Sequence, residues 1–160
     1  MVTKMVKESA AALDAGEVPQ WITDHLREYR ESGGKSGHYW DSTAFGGAGQ
    51  QRCLLMTTIG RRSGKRYTHP LLYGEDGENL IIVGSKGGSD VHPAWYHNLM
   101  AKPEVELQVG PDVYAARATL VSGAERVHIW QLMTALYPPY EDYQARTTRE
   151  IPLFSLSRID

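Results

Sequence analysis

Along the chain, apolar residues recur first at helical spacing, then in short runs of strand character, then again at helical spacing. Trp21, Ile22, His25, Leu26 and Tyr29 follow Pro19 three and four positions apart, which predicts an amphipathic helix over 19–31. Residues 32–50 hold Gly33, Gly34, Gly37, Gly46, Gly47 and Gly49 with no hydrophobic period, as expected of a mobile loop. No strand precedes those glycines, so they do not read as a dinucleotide fingerprint. From residue 52 the pattern changes. Cys53 to Ile59 is a short apolar strand, and Tyr67–Tyr73 and Asn79–Val83 flank an Asp76-Gly77 turn that predicts a hairpin between them. Glu104 to Val109 alternates strictly, and Val113 to Val121 is its expected partner across Gly110-Pro111-Asp112. Between these hairpins a helix is expected over 91–101, starting at Asp90 with Pro93 in its first turn. Ser122 and Glu125 have capping-box spacing, and Val127, Trp130, Met133 and Leu136 recur every third residue, predicting a helix over 123–136.

Short antiparallel strands with a few helices fit an α+β fold, a small antiparallel barrel with flanking helices, better than a doubly wound parallel sheet. A single domain is expected over 1–160, with an N-terminal helical segment (1–31), a Gly-rich loop (32–50) and a barrel core (52–156). The composition, 41% hydrophobic and 22% charged, is that of a globular chain. No apolar stretch approaches the roughly 20 residues of a spanning helix and the N-terminus has no secretory pattern, so a cytoplasmic location is expected. Cys53 is the only cysteine, which leaves no internal disulfide and no thiolate cage for zinc.

Charge adds a local signal. Arg61, Arg62, Lys65 and Arg66 crowd one turn of a chain whose formal net charge is only -2. Gly60, Ser63 and Gly64 permit a tight backbone there, and guanidinium forks suit phosphate or carboxylate oxygens, although a solvated basic hairpin has the same spacing. Ser85-Lys86-Gly87-Gly88 is a second polar loop at a strand end, and the two loops together point to a phosphate-bearing ligand. The patch is too short for a nucleic-acid footprint. His92 and His97 are five apart without a completing Glu, which argues against a metal site, and His69 reads equally as a ligand donor or a satisfied surface histidine. Ser63 and Ser85 lack a nucleophile-elbow context, so a hydrolase is unsupported. Tyr137, Tyr140 and Tyr143 either line a pocket for an aromatic substrate or simply pack.

Thr57 to Gly64, His69 to Tyr73, Ser85 to Gly88, Pro93 to Leu99 and Tyr137 to Tyr143, in this order and spacing over about 52–156, together resemble the deazaflavin-dependent nitroreductase family of actinobacteria. The resemblance implies a split β-barrel and reduced coenzyme F420, an 8-hydroxy-5-deazaflavin with a phosphodiester and an oligoglutamate tail. By that likeness Arg61, Arg62, Lys65 and Lys86 neutralise the tail, while Pro70, Trp95 and Asn98 hold the ring. Ser63, His69, Gly87 and Gly88 complete the cofactor-binding set. Tyr73, Ser85, Tyr137, Tyr140 and Tyr143 border the acceptor, a quinone, nitroaromatic or unsaturated lactone that receives hydride. Two departures stand out: Arg62 occupies a position where the family commonly has Lys, and Tyr67 one where an arginine often stands. The family's N-terminal helix can lie on membranes, so Lys4, Lys7 and Glu8 raise peripheral membrane association, and such barrels often pair as homodimers. The alternatives are an FMN-binding split-barrel oxidoreductase and a non-catalytic carrier of an anionic ligand.

Overall fold

Ten consecutive residues of β-strand character, Gln50–Ile59, form the strand around which the rest is organised in the computed structural model, which describes residues 20–47 and 49–159. Cys53 to Thr58 are all buried, because both faces of this strand are covered. Leu54 and Met56 enter one apolar cluster with Leu107 and Phe154, while Cys53 and Leu55 pack on the other face with Tyr29. In chain order the elements are α1 (Gln20–Ser32), β1 (Tyr39–Asp41), β2 (Gln50–Ile59), β3 (Arg66–Leu72), β4 (Gly74–Asp76) and β5 (Asn79–Val83). They continue with α2 (Ala94–Ala101), β6 (Glu104–Val109), β7 (Asp112–Leu120), α3 (Gly123–Leu136), α4 (Pro139–Ala145) and β8 (Leu153–Arg158).

The strands pair antiparallel in the order β1-β2-β6-β7-β8-β5-β4, with β3 paired to β2. The sheet curls, giving the expected α+β antiparallel architecture with flanking helices. Its alternation sorts side chains by face: Ile82 joins the Leu54 cluster, while Ile81 and Val83 join a second cluster with Ile129, Met133 and Tyr137.

Three expectations are corrected. Tyr67–Tyr73 does not form a hairpin with Asn79–Val83; β3 returns along β2, and the Asp76-Gly77 turn closes the short β4–β5 hairpin, with Asp76 opposite Asn79. Residues 32–50 are not structureless. They contain β1 and a 3-10 turn over Thr43–Phe45, with the buried Ser42 hydroxyl donating to the Gly49 carbonyl at 2.6 Å. The helix expected from Asp90 begins at Ala94, after Pro93 in extended backbone. The 123–136 helix forms as expected, but the Ser122 side chain makes no capping bond.

Residues 1–19, with Lys4, Lys7 and Glu8, lie outside the described residues, and nothing among the described residues supports membrane association. No described helix is long and apolar enough to cross a membrane.

Candidate functional site

A cavity of about 410 Å³ opens between the curled sheet and the helices, within the roughly 300–1,000 Å³ usual for small-ligand sites. Strand β3 supplies His69, Pro70, Leu71 and Leu72 to it, and Cys53 and Val83 line it from β2 and β5. The loop after β5 contributes Ser85, Lys86 and Gly87, and the start of α2 contributes Ala94 and Trp95.

The roof is aromatic. Trp21 of α1 stacks on Trp40 with ring centroids 5.8 Å apart and planes 6° from parallel, and Phe45 closes the group at 5.5 Å from Trp21. Trp40 continues to Tyr137 at 6.2 Å, and Tyr137 packs edge-on against Tyr140 at 4.8 Å. This wall spans α1, the glycine-rich segment and α4, and it is held by burial and ring contacts. Tyr137 and Tyr140 are only 4% and 5% exposed. The Tyr137 and Tyr143 hydroxyls share a hydrogen bond of 3.0 Å. Burial, with this bond second for Tyr137, pushes the Tyr137 and Tyr140 phenols well above the ordinary tyrosine range, so both stay protonated.

His69 is a polar exception in the cavity wall. Its Nδ1 is buried without a hydrogen-bond partner, and burial holds the imidazole below the usual histidine range, hence neutral. Because His69 lines the cavity, that nitrogen is open to a partner entering it.

The cationic turn lies outside the cavity. Gly60 N–H donates to the Lys65 carbonyl at 2.7 Å, which closes the β2–β3 loop and leaves Arg61, Arg62, Ser63 and Lys65 exposed. Ser63 Oγ serves the turn itself by accepting from Lys65 N–H at 3.1 Å. Asn98 lies beneath the loop: its Oδ1 accepts from Arg61 N–H at 3.0 Å and its Nδ2 donates to Thr58 Oγ1 at 3.1 Å. Because Trp95 lines the cavity one turn earlier on the same helix, α2 ties the basic loop to the cavity's edge. Arg66 pairs with Glu106 at 3.1 Å, but no carboxylate among the described residues pairs with Arg61, Arg62, Lys65 or Lys86.

Of the residues singled out in the sequence, the structure gathers Ser85, Lys86, Gly87, His69, Pro70, Trp95, Tyr137, Tyr140 and Tyr143 around one cavity. Tyr73 is elsewhere, in the interior cluster with Leu54 and Phe154, its ring beneath the Arg52 guanidinium. Gly88 sits behind the wall, where an added Cβ would meet the Tyr143 carbonyl at 2.8 Å. Asn98 braces the basic loop and does not line the cavity.

Sequence reasoning passed over Trp40 and Phe45, aromatic residues among glycines, and Arg149. The Arg149 side chain donates to the carbonyls of Ser89 at 2.7 Å, Gly84 at 3.1 Å and Ser85 at 2.7 Å, and to His92 Nδ1 at 3.0 Å. Burial and the Arg149 charge hold His92 below the usual histidine range, which suits an accepting Nδ1. Among the described residues no group of His, Cys, Asp and Glu could hold a metal ion.

A family model described as F420H(2)-dependent quinone reductase matches residues 21–158. An F420H(2)-dependent quinone reductase of Mycobacterium tuberculosis is 36% identical over 154 residues, covering 89% of this chain and 99% of that protein. Among solved structures, an F420-H2 dependent reductase, FDR-A, is similar with a TM-score of 0.61 at 42% identity, over 66% of this chain and 93% of that one. A chain described as a domain-swapped dimer is similar with a TM-score of 0.63 at 36% identity, over 84% of this chain and 98% of that one.

Proposed function

The chain belongs to the F420H(2)-dependent quinone reductase family, and on that footing we propose that its cavity seats the reduced deazaflavin beside a quinone and that the cations of the β2–β3 turn hold the coenzyme's anionic tail. The protein is an oxidoreductase that uses reduced F420, which sets aside the FMN and carrier readings. The coenzyme, once bound, supplies a hydride, and the protein's share is binding, orientation and electrostatics.

The observation that carries the site assignment is an aromatic cavity with Lys86 in its lining and the turn of Arg61, Arg62 and Lys65 outside it, none of these four paired with a carboxylate among the described residues. A polyanion with a flat ring system fits that arrangement: the cationic turn outside, Lys86 at the edge and apolar walls inside. Trp95 and Pro70 bracket the ring, and the unpartnered His69 is available to a polar atom of it. Lys86 and the backbone of Gly87 meet the ligand at the cavity's edge. Gly88 contributes by letting the loop pack tightly on α4.

Tyr137, Tyr140, Tyr143 and Ser85 border the acceptor. Two hydroxyls share the Tyr137–Tyr143 bond, so one O–H is consumed and the other is free to donate into the cavity. That donor, with Ser85 Oγ, steadies the acceptor oxygen as it gains negative charge. The aromatic roof covers one side of the cavity, and no side-chain nucleophile is required.

Titrating purified protein with oxidised F420, read by fluorescence, tests the coenzyme site; micromolar binding is expected, and its absence refutes the assignment. Turnover with a panel of quinones, nitroaromatics and unsaturated lactones tests the acceptor, and inactivity toward every quinone overturns that part. Self-association is a further expectation, since a solved relative is described as a domain-swapped dimer. Light scattering on the purified chain measures it, and a monomer at all concentrations removes it.

A further inference from the structure

We propose that Arg149 is a positioning residue for coenzyme binding: its guanidinium holds the loop over 84–89, left-handed at residues 86–88, in the conformation that presents Ser85, Lys86 and Gly87 to the cavity. The proposal rests on the coenzyme site described above. Lys86 has φ +45°, the only positive φ of a non-glycine among the described residues, and Gly87 and Gly88 follow at +63° and +85°. A lysine with its Cβ avoids this region unless the surroundings impose it, and such residues gather at binding sites.

Within the loop only two backbone bonds help, Gly88 N–H to Ser85 O at 2.9 Å and Ser89 N–H to Lys86 O at 3.1 Å. Outside it, Gly84 N–H donates to the Pro152 carbonyl at 2.8 Å and Arg146 Nη1 makes a long bond of 3.4 Å to the Gly87 carbonyl, while Arg149 engages three carbonyls at once. Nε reaches the carbonyl of Ser89 on one side of the left-handed run, while Nη1 and Nη2 reach those of Gly84 and Ser85 on the other. A planar fork fixes both ends of the loop at once, which a flexible ammonium does not. These three carbonyls are turned toward a cation that does not line the cavity, so their negative ends are engaged away from an anionic ligand. The fourth contact, Nη1 to His92 Nδ1, joins the same guanidinium to the lead-in of α2, where Pro93 and Trp95 form the adjoining wall. Arg149 therefore sets the spacing of two walls while touching neither ligand.

The test compares Arg149→Met, Arg149→Lys, Lys86→Gly and the Arg149→Met/Lys86→Gly double variant by oxidised-F420 titration and by amide hydrogen exchange without ligand. Arg149→Met is expected to weaken coenzyme affinity about tenfold and to speed exchange at Gly88 and Ser89 while amides of β2 and β8 keep their protection. Arg149→Lys keeps a positive charge but is expected to show the same defect. Because glycine adopts left-handed backbone freely, the loss caused by Arg149→Met shrinks when residue 86 is already glycine, a coupling that general destabilisation does not produce. Unchanged affinity and exchange in a folded Arg149→Met, or equal losses in both backgrounds, overturns the proposal. Should Arg149→Met not fold, Arg149→Lys carries the comparison. Should the parent protein not bind F420, the functional assignment fails, while the exchange data still decide whether Arg149 orders the loop.

Discussion

Replacing Asn98 by alanine removes both ends of a bridge. The side chain is 7% exposed, accepts from Arg61 N–H at 3.0 Å and donates to Thr58 Oγ1 at 3.1 Å. Two lost bonds at about 1 kcal/mol each, with the Arg61 amide left short of a partner, give a destabilisation of roughly 2–3 kcal/mol. For a domain of this size that corresponds to a melting point lower by about 5–10 °C. The same change frees the loop that carries Arg61 and Arg62, so F420 affinity should fall about tenfold. Asn98→Asp is the informative control. An aspartate still accepts from the Arg61 amide, and the Thr58 hydroxyl can turn to donate to its second oxygen, so this variant should keep more stability and affinity than Asn98→Ala. Urea melts and fluorescence titration, run on all three proteins, check both quantities. If Asn98→Ala is within about 0.5 kcal/mol of the parent and binds the coenzyme equally well, Asn98 does not brace the basic turn.

Tyr143→Phe deletes the 3.0 Å bond to Tyr137; stability should fall by about 0.5–1.5 kcal/mol and kcat/KM for quinone should drop with it, measured by urea melts and steady-state kinetics. Arg61→Ser with Arg62→Ser alters only exposed side chains, so thermal stability should stay within about 0.5 kcal/mol while F420 affinity weakens and its salt dependence flattens. His38, His69 and His92 are all held below the usual histidine range, by burial first in each case, so the unfolded chain binds more protons than the folded one as acid is added. Their contribution is present above about pH 6.5 and is lost as pH falls through the folded values. Urea midpoints should therefore decline on acidification below that point, and a flat profile would contradict the assignment.

Local signals reached the sequence well. Alternation marked β6, the turn after it marked β7 to within a residue at each end, period three marked α3 over Gly123–Leu136, and the glycine-bounded basic turn is the β2–β3 loop. What depended on distant partners was hidden. The Asp76-Gly77 turn is real, but a turn does not say how far its strands extend, and β3 found a longer partner in β2. Leu153–Arg158 became β8 because β5 and β7 leave a slot between them, with Leu80 opposite Leu156 and Leu120 opposite Phe154. No turn signal marks such an insertion. Trp40 and Phe45 sit in a glycine-rich stretch, and only their stacking on Trp21 and Tyr137 shows that they form a wall. The resemblance supplied a list of site residues in which Tyr73 and Asn98 ranked with the rest, whereas side-chain direction separates them from the cavity. Arg149 carried no motif, since its meaning lies in carbonyls brought to it by folding.

Helix α1 is fastened to the sheet near its C-terminal end, by Tyr29 and by Arg30 Nη2 donating to Thr68 Oγ1 at 2.6 Å, and faces the cavity from its other end. Tyr29 is fully buried; its hydroxyl donates to the Cys53 carbonyl at 2.9 Å and accepts from Gly110 N–H at 2.7 Å, whereas Trp21, Ile22 and His25 line the cavity from the opposite end of the helix. If the oxidant occupies the cavity as proposed, the side chains that set its headroom belong to an element outside the sheet's ladder of backbone bonds. Bulkier or slimmer oxidants are best accommodated by tailoring those three positions, leaving the barrel and its grip on the coenzyme as a fixed chassis.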